Sequence, residues 1–248
     1  MITIFIPYIE SNHLGFNELK YALRSWEKHF LEPFKIFIIG DCPKWLQNVE
    51  YIKHNQILDV EENFLKDAIS KFDCFLQSFT DEYFIRSYDD IYLINDCKLP
   101  DIQRVRGLKH IQNNIPSGWK TQKLRTFSLI RHKFNGFHTE THIPEYFEKS
   151  KMIRIFEKYK VKENNVLTST LYNLEYNFDN IELIDKTKVK AGFYGWDSWD
   201  SWGRYKDKTD IGNICSDKLF LNHNDQGLSE VVKEYLMEKF PNKSSFEK

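Results

Sequence analysis

The 248-residue sequence has few cysteines, no excess of charge of either sign and no long hydrophobic run. Its four cysteines lie far apart and form no C-x-x-C pair, which argues against a zinc site and against a disulfide framework. We interpret them as reduced thiols of a cytoplasmic protein, and peripheral attachment at the inner face of the membrane stays open. The net charge of −1 gives no reason to expect a stable complex with nucleic acid.

The sequence also shows no pattern typical of a targeting signal or a membrane anchor. The opening residues, MITIFIP, lack the basic segment and the small-residue cleavage site of a signal peptide. No stretch reaches the ~18 consecutive apolar residues of a membrane span, so we expect no transmembrane segment. What is plentiful is aromatic side chains, at 16% of the residues, which suit a packed core and surfaces for planar or sugar ligands.

The first part of the sequence alternates strand-like and helix-like patterns. Apolar runs predict strands, and apolar residues at helical spacing predict helices with polar outer faces. We assign Glu18 to such a polar face and Trp26 to the core. The predicted strands span residues 2–7, 34–40 and 49–52, and the predicted helices span residues 16–30 and 61–79. This order and the lengths of the connections favour a mostly parallel central sheet flanked by helices, that is, an α/β fold.

The stretch from Tyr83 to Ile94 places two adjacent aspartates, Asp89 and Asp90, between two apolar runs rich in aromatic residues. Tyr, Phe and Ile favour strands, so a strand is predicted to end at the pair. Two carboxylates are costly to bury unless positive charge meets them, and a divalent cation would supply it. Both can face one ion only if the strand ends or bends there. The alternative to a metal site is an ordinary Asp-Asp turn.

Other candidate ligand-binding residues follow the first strands. In α/β sheets, ligands bind at the carboxyl ends of the strands, which directs attention to Pro7, Tyr8 and Asp41 as residues that contact a donor substrate. Lys66 lies near the start of the second predicted helix, where a basic side chain can reach a diphosphate. The alternative for Lys66 is an ordinary solvated lysine.

The second half of the sequence is less regular. Residues 95–118 are predicted to be irregular, and a helix is predicted to start at Ile143-Pro144 and to run to about Tyr159. His142 precedes that helix and can bind a phosphate, complete a metal shell or act as an acid; otherwise it is a capping or surface histidine. Further helices are predicted over 124–134, 164–176 and about 228–240, and further strands over 181–184 and 189–193. A last short strand is predicted to end in a polar turn within 220–225.

The segment Gly195–Gly203 alternates tryptophan with Asp and Ser. Such a loop can hold a sugar by stacking on its C–H face while carboxylates bind hydroxyl groups, or it can bury its rings in the core. On the first interpretation Trp196, Trp199 and Trp202 contact an acceptor, and Asp197 or Asp200 is the base that deprotonates its hydroxyl group.

Several stretches together resemble the Stealth family of capsular polysaccharide transferases. FNELKYALRSWEK at 16–28, PKWL at 43–46 and YDDIYL at 88–93 resemble family blocks, as do HIP at 142–144 and the closing ND at 224–225 with FPNKSSFEK at 240–248. The resemblance covers most of the chain, in order. The family's opening strand with its TWVD-like turn is replaced here by FIPYIE at 5–10, so the resemblance does not fix the reaction type.

Related short proteins resemble glycosyltransferases of the GT-A type, which use a nucleotide-sugar donor and a divalent metal. The resemblance therefore implies one GT-A-like domain over residues 1–248, with a nucleotide-sugar-binding half (1–97) and an acceptor-side half (98–248). It implies a Mn²⁺ or Mg²⁺ ion that bridges the donor diphosphate to Asp90. Asp89 would contact a metal-bound water or the donor sugar, and His142 or His223 would add a ligand or a phosphate contact.

Three functions follow from these expectations. The first is a metal-dependent glycosyltransferase that moves a sugar from a nucleotide-diphosphate sugar to a glycan or other hydroxyl acceptor in surface polysaccharide synthesis. The second is a Stealth-like hexose-1-phosphate transferase, in which the acceptor attacks phosphorus and a phosphodiester forms. The third is a non-catalytic sugar-binding protein.

Overall fold

The computed structural model describes residues 1–11, 15–57, 63–109, 117–130, 137–184, 189–194 and 207–248. In these residues the fold is mixed α/β, with strands in three sheets and helices packed around them. The largest sheet has five strands in the order β3-β2-β1-β4-β8. The first four are parallel to one another, and β8 runs antiparallel to β4. The strands are β1 (Ile2–Tyr8), β2 (Phe34–Gly40), β3 (Glu50–Lys53), β4 (Tyr83–Arg86) and β8 (Glu145–Glu148).

Helices cover both faces of this sheet, which explains why its central strands are largely apolar on both faces. Helix α1 (Glu18–His29) packs against one face, and Trp26 at its centre is fully buried. Helix α2 (Asn63–Ser78) packs against the other face, where Phe75 stacks on Phe5 with ring centroids 4.3 Å apart. The helices predicted over 16–30 and 61–79 and the parallel arrangement of the first strands are confirmed.

Two three-stranded sheets complete the architecture. One has the order β10-β11-β5 and the other β7-β6-β9. Their strands are β5 (Ile91–Leu93), β6 (Arg106–Lys109), β7 (Phe137–His138), β9 (Glu182–Ile184), β10 (Lys190–Phe193) and β11 (Phe220–His223). Because β4 and β5 belong to different sheets, the chain changes sheet at the aspartate pair.

The remaining helices lie mainly in the second half of the chain. They are α3 (Leu99–Gln103), α4 (Ser117–Leu129), α5 (Lys149–Lys158), α6 (Val161–Asn164), α7 (Thr168–Tyr176), α8 (Lys208–Cys215) and α9 (Glu230–Lys239), with a 3-10 turn at Phe178–Asn180. In the described parts of the chain, no helix combines the length and the apolar character that crossing a membrane requires.

Two sequence predictions are wrong here. Ile143-Pro144 does not start a helix, because the next four residues form β8 and pair with β4, and α5 begins only at Lys149. Residues 95–118 are not simply irregular, because they contain α3 and β6. In both cases a short strand is stabilised by a partner that is distant in sequence, and local pattern carries no information about such a partner.

Candidate functional site

The carboxyl ends of β1, β2 and β4 meet at one edge of the main sheet, because these strands are parallel and adjacent. Gly40 ends β2 opposite Tyr8 with a φ of +137°. A Cβ atom on Gly40 would lie 1.8 Å from the backbone oxygen of Tyr8, so only glycine permits this close approach. Asp41 follows directly and accepts a hydrogen bond from the backbone N–H of Glu10, at 2.9 Å.

The aspartate pair lies at this same edge. Strand β4 ends at Arg86, and the N–H of Ser87 still donates to the carbonyl of Phe5 at 2.9 Å before the chain turns. Asp89 and Asp90 form the turn that leads into β5, and both are partly buried. The chain therefore bends at the pair, as a shared ion requires.

The surroundings make negative charge at this turn unfavourable. Burial raises the pKa of Asp89 well above its usual value, and the charges of Asp90 and Glu18 raise it further, while Lys71 opposes the shift. Burial also raises the pKa of Asp90 to about 7, with a contribution from Glu18 in the same direction and one from Lys190 in the opposite direction. Excess negative charge in a cleft is the condition under which a bound cation is favourable.

Glu18 is a residue of this site that sequence pattern placed wrongly. Its position on α1 matched the polar outer face, yet it is only 8% exposed. Its carboxylate accepts a hydrogen bond from the hydroxyl of Ser11 at 3.2 Å. Its charge raises the pKa of both aspartates. Helical periodicity alone assigned Glu18 to the solvent-exposed face. The feature of the sequence that could have pointed to Glu18 as a site residue was the resemblance of residues 16–28 to a family block.

A cavity of about 310 Å³ opens beside the aspartate pair. Its lining combines an apolar wall, built largely by α2, the end of β1 and the residues before α7, with a polar part from the end of β4, the turn after it and the segment after β7. The described lining residues are Phe5, Pro7, Leu65, Ala68, Ile69, Phe72, Arg86, Tyr88, Asp89, Asp90, Gln122, Glu140, His142, Val166, Leu167 and Thr168. The structure thus brings Pro7, Asp89, Asp90 and His142 of the predicted site together.

Arg86 lines this cavity although the residue is only 5% exposed. It donates to the carboxylate of Glu145 at 2.6 Å and to the hydroxyl of Thr168 at 2.9 Å. It also donates to the hydroxyl of Ser169, and it lies 3.5 Å from the carboxylate of Glu140. Burial raises the pKa of Glu145, and Arg86 opposes that shift. Glu145 and Glu140 thus both engage one terminal nitrogen of this cation, whereas its Nε has no hydrogen-bond partner among the described residues.

His142 adopts a left-handed backbone conformation, with φ +50°, and its residue is exposed at the cavity. Its backbone carbonyl lies 3.4 Å from the ammonium group of Lys190, which is itself 2% exposed and also donates to the hydroxyl of Tyr194 at 2.5 Å. Lys190 thus places a buried positive charge between the His142 loop and Asp90.

Three other predicted residues have different surroundings. Tyr8 is 2% exposed, and burial raises the pKa of its hydroxyl. Lys66 is partly buried on α2 and does not belong to the described lining of the cavity. His223 is fully buried, with Nε2 2.9 Å from the hydroxyl of Tyr92 and Nδ1 3.6 Å from Glu18. Their roles in donor or metal binding stay predictions.

The predicted acceptor loop is the segment Gly195–Gly203. Trp196, Trp199, Trp202, Asp197 and Asp200 all lie outside the described residues. Within the described ranges, no group of three or more His, Cys, Asp or Glu side chains is arranged to hold a metal ion. A metal at the aspartate pair would therefore take its remaining ligands from a substrate, from water or from residues outside the described ranges.

Comparison with known proteins gives a weak similarity that spans nearly the whole chain. No protein-family model matches the sequence. The chain is 24% identical, over 280 aligned residues, to the capsular polysaccharide phosphotransferase SacB of Neisseria meningitidis serogroup A. The protein of the same name from strain DSM 15465 / Z2491 matches with the same values. The alignment covers 96% of this chain and 51% of SacB, so the chain spans about half the length of the curated relatives that it matches.

Proposed function

We propose that this chain is a metal-dependent glycosyltransferase with a GT-A-like fold. It would move a sugar from a nucleotide-diphosphate sugar to a glycan or other hydroxyl acceptor in surface polysaccharide synthesis. The observation that carries the proposal is the aspartate pair at the end of β4, beside a cavity and at the carboxyl edge of a mostly parallel sheet. The similarity to SacB, a capsular polysaccharide phosphotransferase, supports a transferase in the same kind of synthesis.

The residues at the cleft fit a divalent cation of the Mn²⁺ or Mg²⁺ type. Mg²⁺ in proteins commonly takes one or two carboxylates together with substrate phosphates and water. Asp89 and Asp90 provide such carboxylates, and their mutual repulsion is relieved when positive charge binds. A bound ion neutralises the charge that develops on the leaving phosphate. Lys190 adds a fixed positive charge on the side of Asp90.

The alternative is sugar-1-phosphate transfer, since SacB is a capsular polysaccharide phosphotransferase. In glycosyl transfer the acceptor oxygen attacks the anomeric carbon, the C–O bond to the diphosphate breaks, and a nucleoside diphosphate leaves. In sugar-phosphate transfer the acceptor oxygen attacks the phosphorus next to the sugar, the P–O–P bond breaks, and a nucleoside monophosphate leaves. The released nucleotide therefore identifies the reaction.

Ligand-dependent unfolding of the wild type and of Asp90→Asn tests the proposal. UDP, GDP, ADP and CDP would each be added with and without Mn²⁺. At one hundred times its Kd, a ligand that binds only the folded protein stabilises it by about 2.7 kcal/mol, which raises the Tm by roughly 5–10 °C at this size. We expect one nucleotide to give a Mn²⁺-dependent rise in the wild type that Asp90→Asn abolishes.

The variant should itself remain folded. Asp90→Asn removes one of two neighbouring, partly buried negative charges, so its Tm without ligand is expected to equal or exceed that of the wild type. A lost response then reports lost binding. No rise with any nucleotide in the wild type would contradict both transferase hypotheses and favour a sugar-binding protein, whereas the nucleotide released from the matching donor separates the two reactions.

A further inference from the structure

Arg86 joins two parts of the cleft that sequence analysis treated separately. It is the last residue of β4, so its backbone leads directly to the turn that carries Asp89. Its side chain reaches the opposite wall, where it donates to the carboxylate of Glu145 at 2.6 Å and to the hydroxyl of Thr168 at 2.9 Å. Glu145 begins β8, and Thr168 begins α7. One guanidinium group therefore links three elements that meet at the cavity.

The segment between β7 and β8 carries His142 and is fixed on both sides of it. On the amino-terminal side, the carboxylate of Glu140 accepts the backbone N–H groups of Ser169 at 2.9 Å and of Thr170 at 3.3 Å, and it also lies 3.5 Å from Arg86. On the carboxyl-terminal side, Glu145 is held by Arg86. His142 lies between these two attachments, in a left-handed backbone conformation that is unfavourable for a non-glycine residue.

Stability alone does not explain this cluster. A buried ion pair is costly to desolvate, and well-packed apolar residues of similar size generally serve stability equally well. Apolar contacts have no preferred direction, so they do not fix the orientation of neighbouring groups. The planar guanidinium group does, because it donates hydrogen bonds in fixed directions to several acceptors at once. A cluster of this kind therefore fits a requirement for placement at this cleft.

We propose that Arg86 is a positioning residue, which fixes the His142 loop relative to the turn of Asp89 and Asp90. The proposal rests on the proposed function, because it assumes that both groups act on one substrate. The substrate would then be held between an acidic turn and a histidine whose separation is set by the Arg86–Glu145 and Arg86–Glu140 contacts.

The double variant Arg86→Met/Glu145→Met tests this role, because it removes both charges of the pair and keeps apolar volume. We expect its Tm to stay within about 3 °C of the wild type, since the Arg86–Glu145 pair is replaced rather than broken and Glu140 keeps its hydrogen bonds from the backbone of Ser169 and Thr170. We expect kcat to fall by about tenfold or more with little change in KM, because misplacement of a catalytic group slows the chemical step. Arg86→Lys should recover only part of the rate, since an ammonium group cannot form the same set of directed contacts.

The matched control is Arg24→Met/Glu247→Met, which replaces the other well-buried Arg–Glu pair of the described chain, away from the cavity lining. We expect no change in kcat there. A loss of kcat of the same size in both double variants, or an unchanged kcat in the Arg86 variant, would overturn the proposal.

A measurement that does not depend on activity keeps the two proposals separate. With ¹³C-labelled histidine, the ring signal of His142 is identified among those of the eight histidines by its loss in His142→Gln. We expect that signal to broaden or split in the Arg86 double variant while the others stay unchanged. An unchanged His142 signal overturns the positioning role. If the wild type transfers nothing from any donor, the proposed function fails, and the spectrum alone then decides whether Arg86 positions His142.

Discussion

Gly40 ends β2 at the sheet edge where the candidate site lies, and its surroundings leave no room for a side chain. A Cβ atom there would lie 1.8 Å from the Tyr8 carbonyl oxygen and 3.1 Å from Cε of Lys71, at a φ of +137°. We expect Gly40→Ala to lower the free energy of unfolding by about 3 kcal/mol or more, because the backbone must move to relieve the overlap. Urea unfolding followed by circular dichroism measures this loss.

The control is Gly212→Ala within α8, where the nearest atom to a new Cβ lies 4.0 Å away. Alanine is the better helix former, so this change is expected to leave stability unchanged or to raise it by up to about 1 kcal/mol. Equal unfolding free energies for the two variants would contradict the close approach of β2 to Tyr8.

At the level of single residues, sequence reasoning located the acidic turn but missed what surrounds it. Asp89 and Asp90 are adjacent and follow an apolar run, so the turn can be recognised from neighbouring residues in the sequence alone. Arg86 contacts carboxylates 54 and 59 residues further along the chain, at Glu140 and Glu145. An ion pair across that separation leaves no periodicity and no motif, so it could not be found before the fold was known.

At the level of elements, the helices and strands with long hydrophobic patterns were predicted correctly, whereas the short strands β6 and β8 were missed. Helices α1 and α2 each bury one apolar stripe, and β1 and β2 are apolar except for one polar residue each, so all four were predictable. Strand β8 has four residues with two glutamates, and it exists because it pairs with β4. A short strand with no distinct pattern of its own is decided by its partner.

Helix α2 supplies the apolar wall of the cavity, and Ala68 is its smallest lining residue. We expect Ala68→Leu to fill part of the cavity and to lower the transfer rate by about tenfold or more, since a small displacement of the substrate is costly. Its Tm should stay the same or rise, because the larger side chain packs against Ile69 and Phe72. Donor turnover and thermal unfolding measure the two effects.

The matched change is Ala68→Ser, which keeps the side chain small and should retain most of the activity. If Ala68→Leu is as active as the wild type and equally stable, the substrate does not occupy this cavity. A Tm that falls in Ala68→Leu would instead show that the cavity has no room for the added carbon atoms.

At the level of the whole molecule, the end of the chain fastens α1 to the rest of the structure. Arg24 forms two hydrogen bonds to the carboxylate of Glu247, at 2.7 Å and 2.8 Å, and one to the carbonyl of Phe240 at 3.0 Å. Glu247 also accepts the backbone N–H of Ser244 at 3.0 Å, and Phe246 packs into the core beneath α1. These contacts join residues more than two hundred positions apart.

We expect Glu247→Gln to lower the free energy of unfolding at pH 7 by about 1.5–3 kcal/mol, because it weakens charge-assisted hydrogen bonds at a carboxylate that is almost fully buried. The stability difference between the wild type and Glu247→Gln should decrease as the pH falls. Burial alone would raise the pKa of Glu247, but the hydrogen bonds from Arg24 and Ser244 outweigh burial and lower it. The contribution is therefore present above the ordinary pKa of a glutamate and is lost as the pH falls through the lowered value.

Urea unfolding at pH 7, 5 and 3 would follow the stability difference between the wild type and Glu247→Gln. The unfolded chain binds a proton at Glu247 before the folded chain does, so the difference should be largest at pH 7 and should shrink toward pH 3. Glu182→Gln is the control, because its partner Arg104 and Glu182 itself are about half exposed and such pairs contribute little. A difference that stays constant with pH would mean that the tail is held by the packing of Phe246 and not by the Arg24–Glu247 pair.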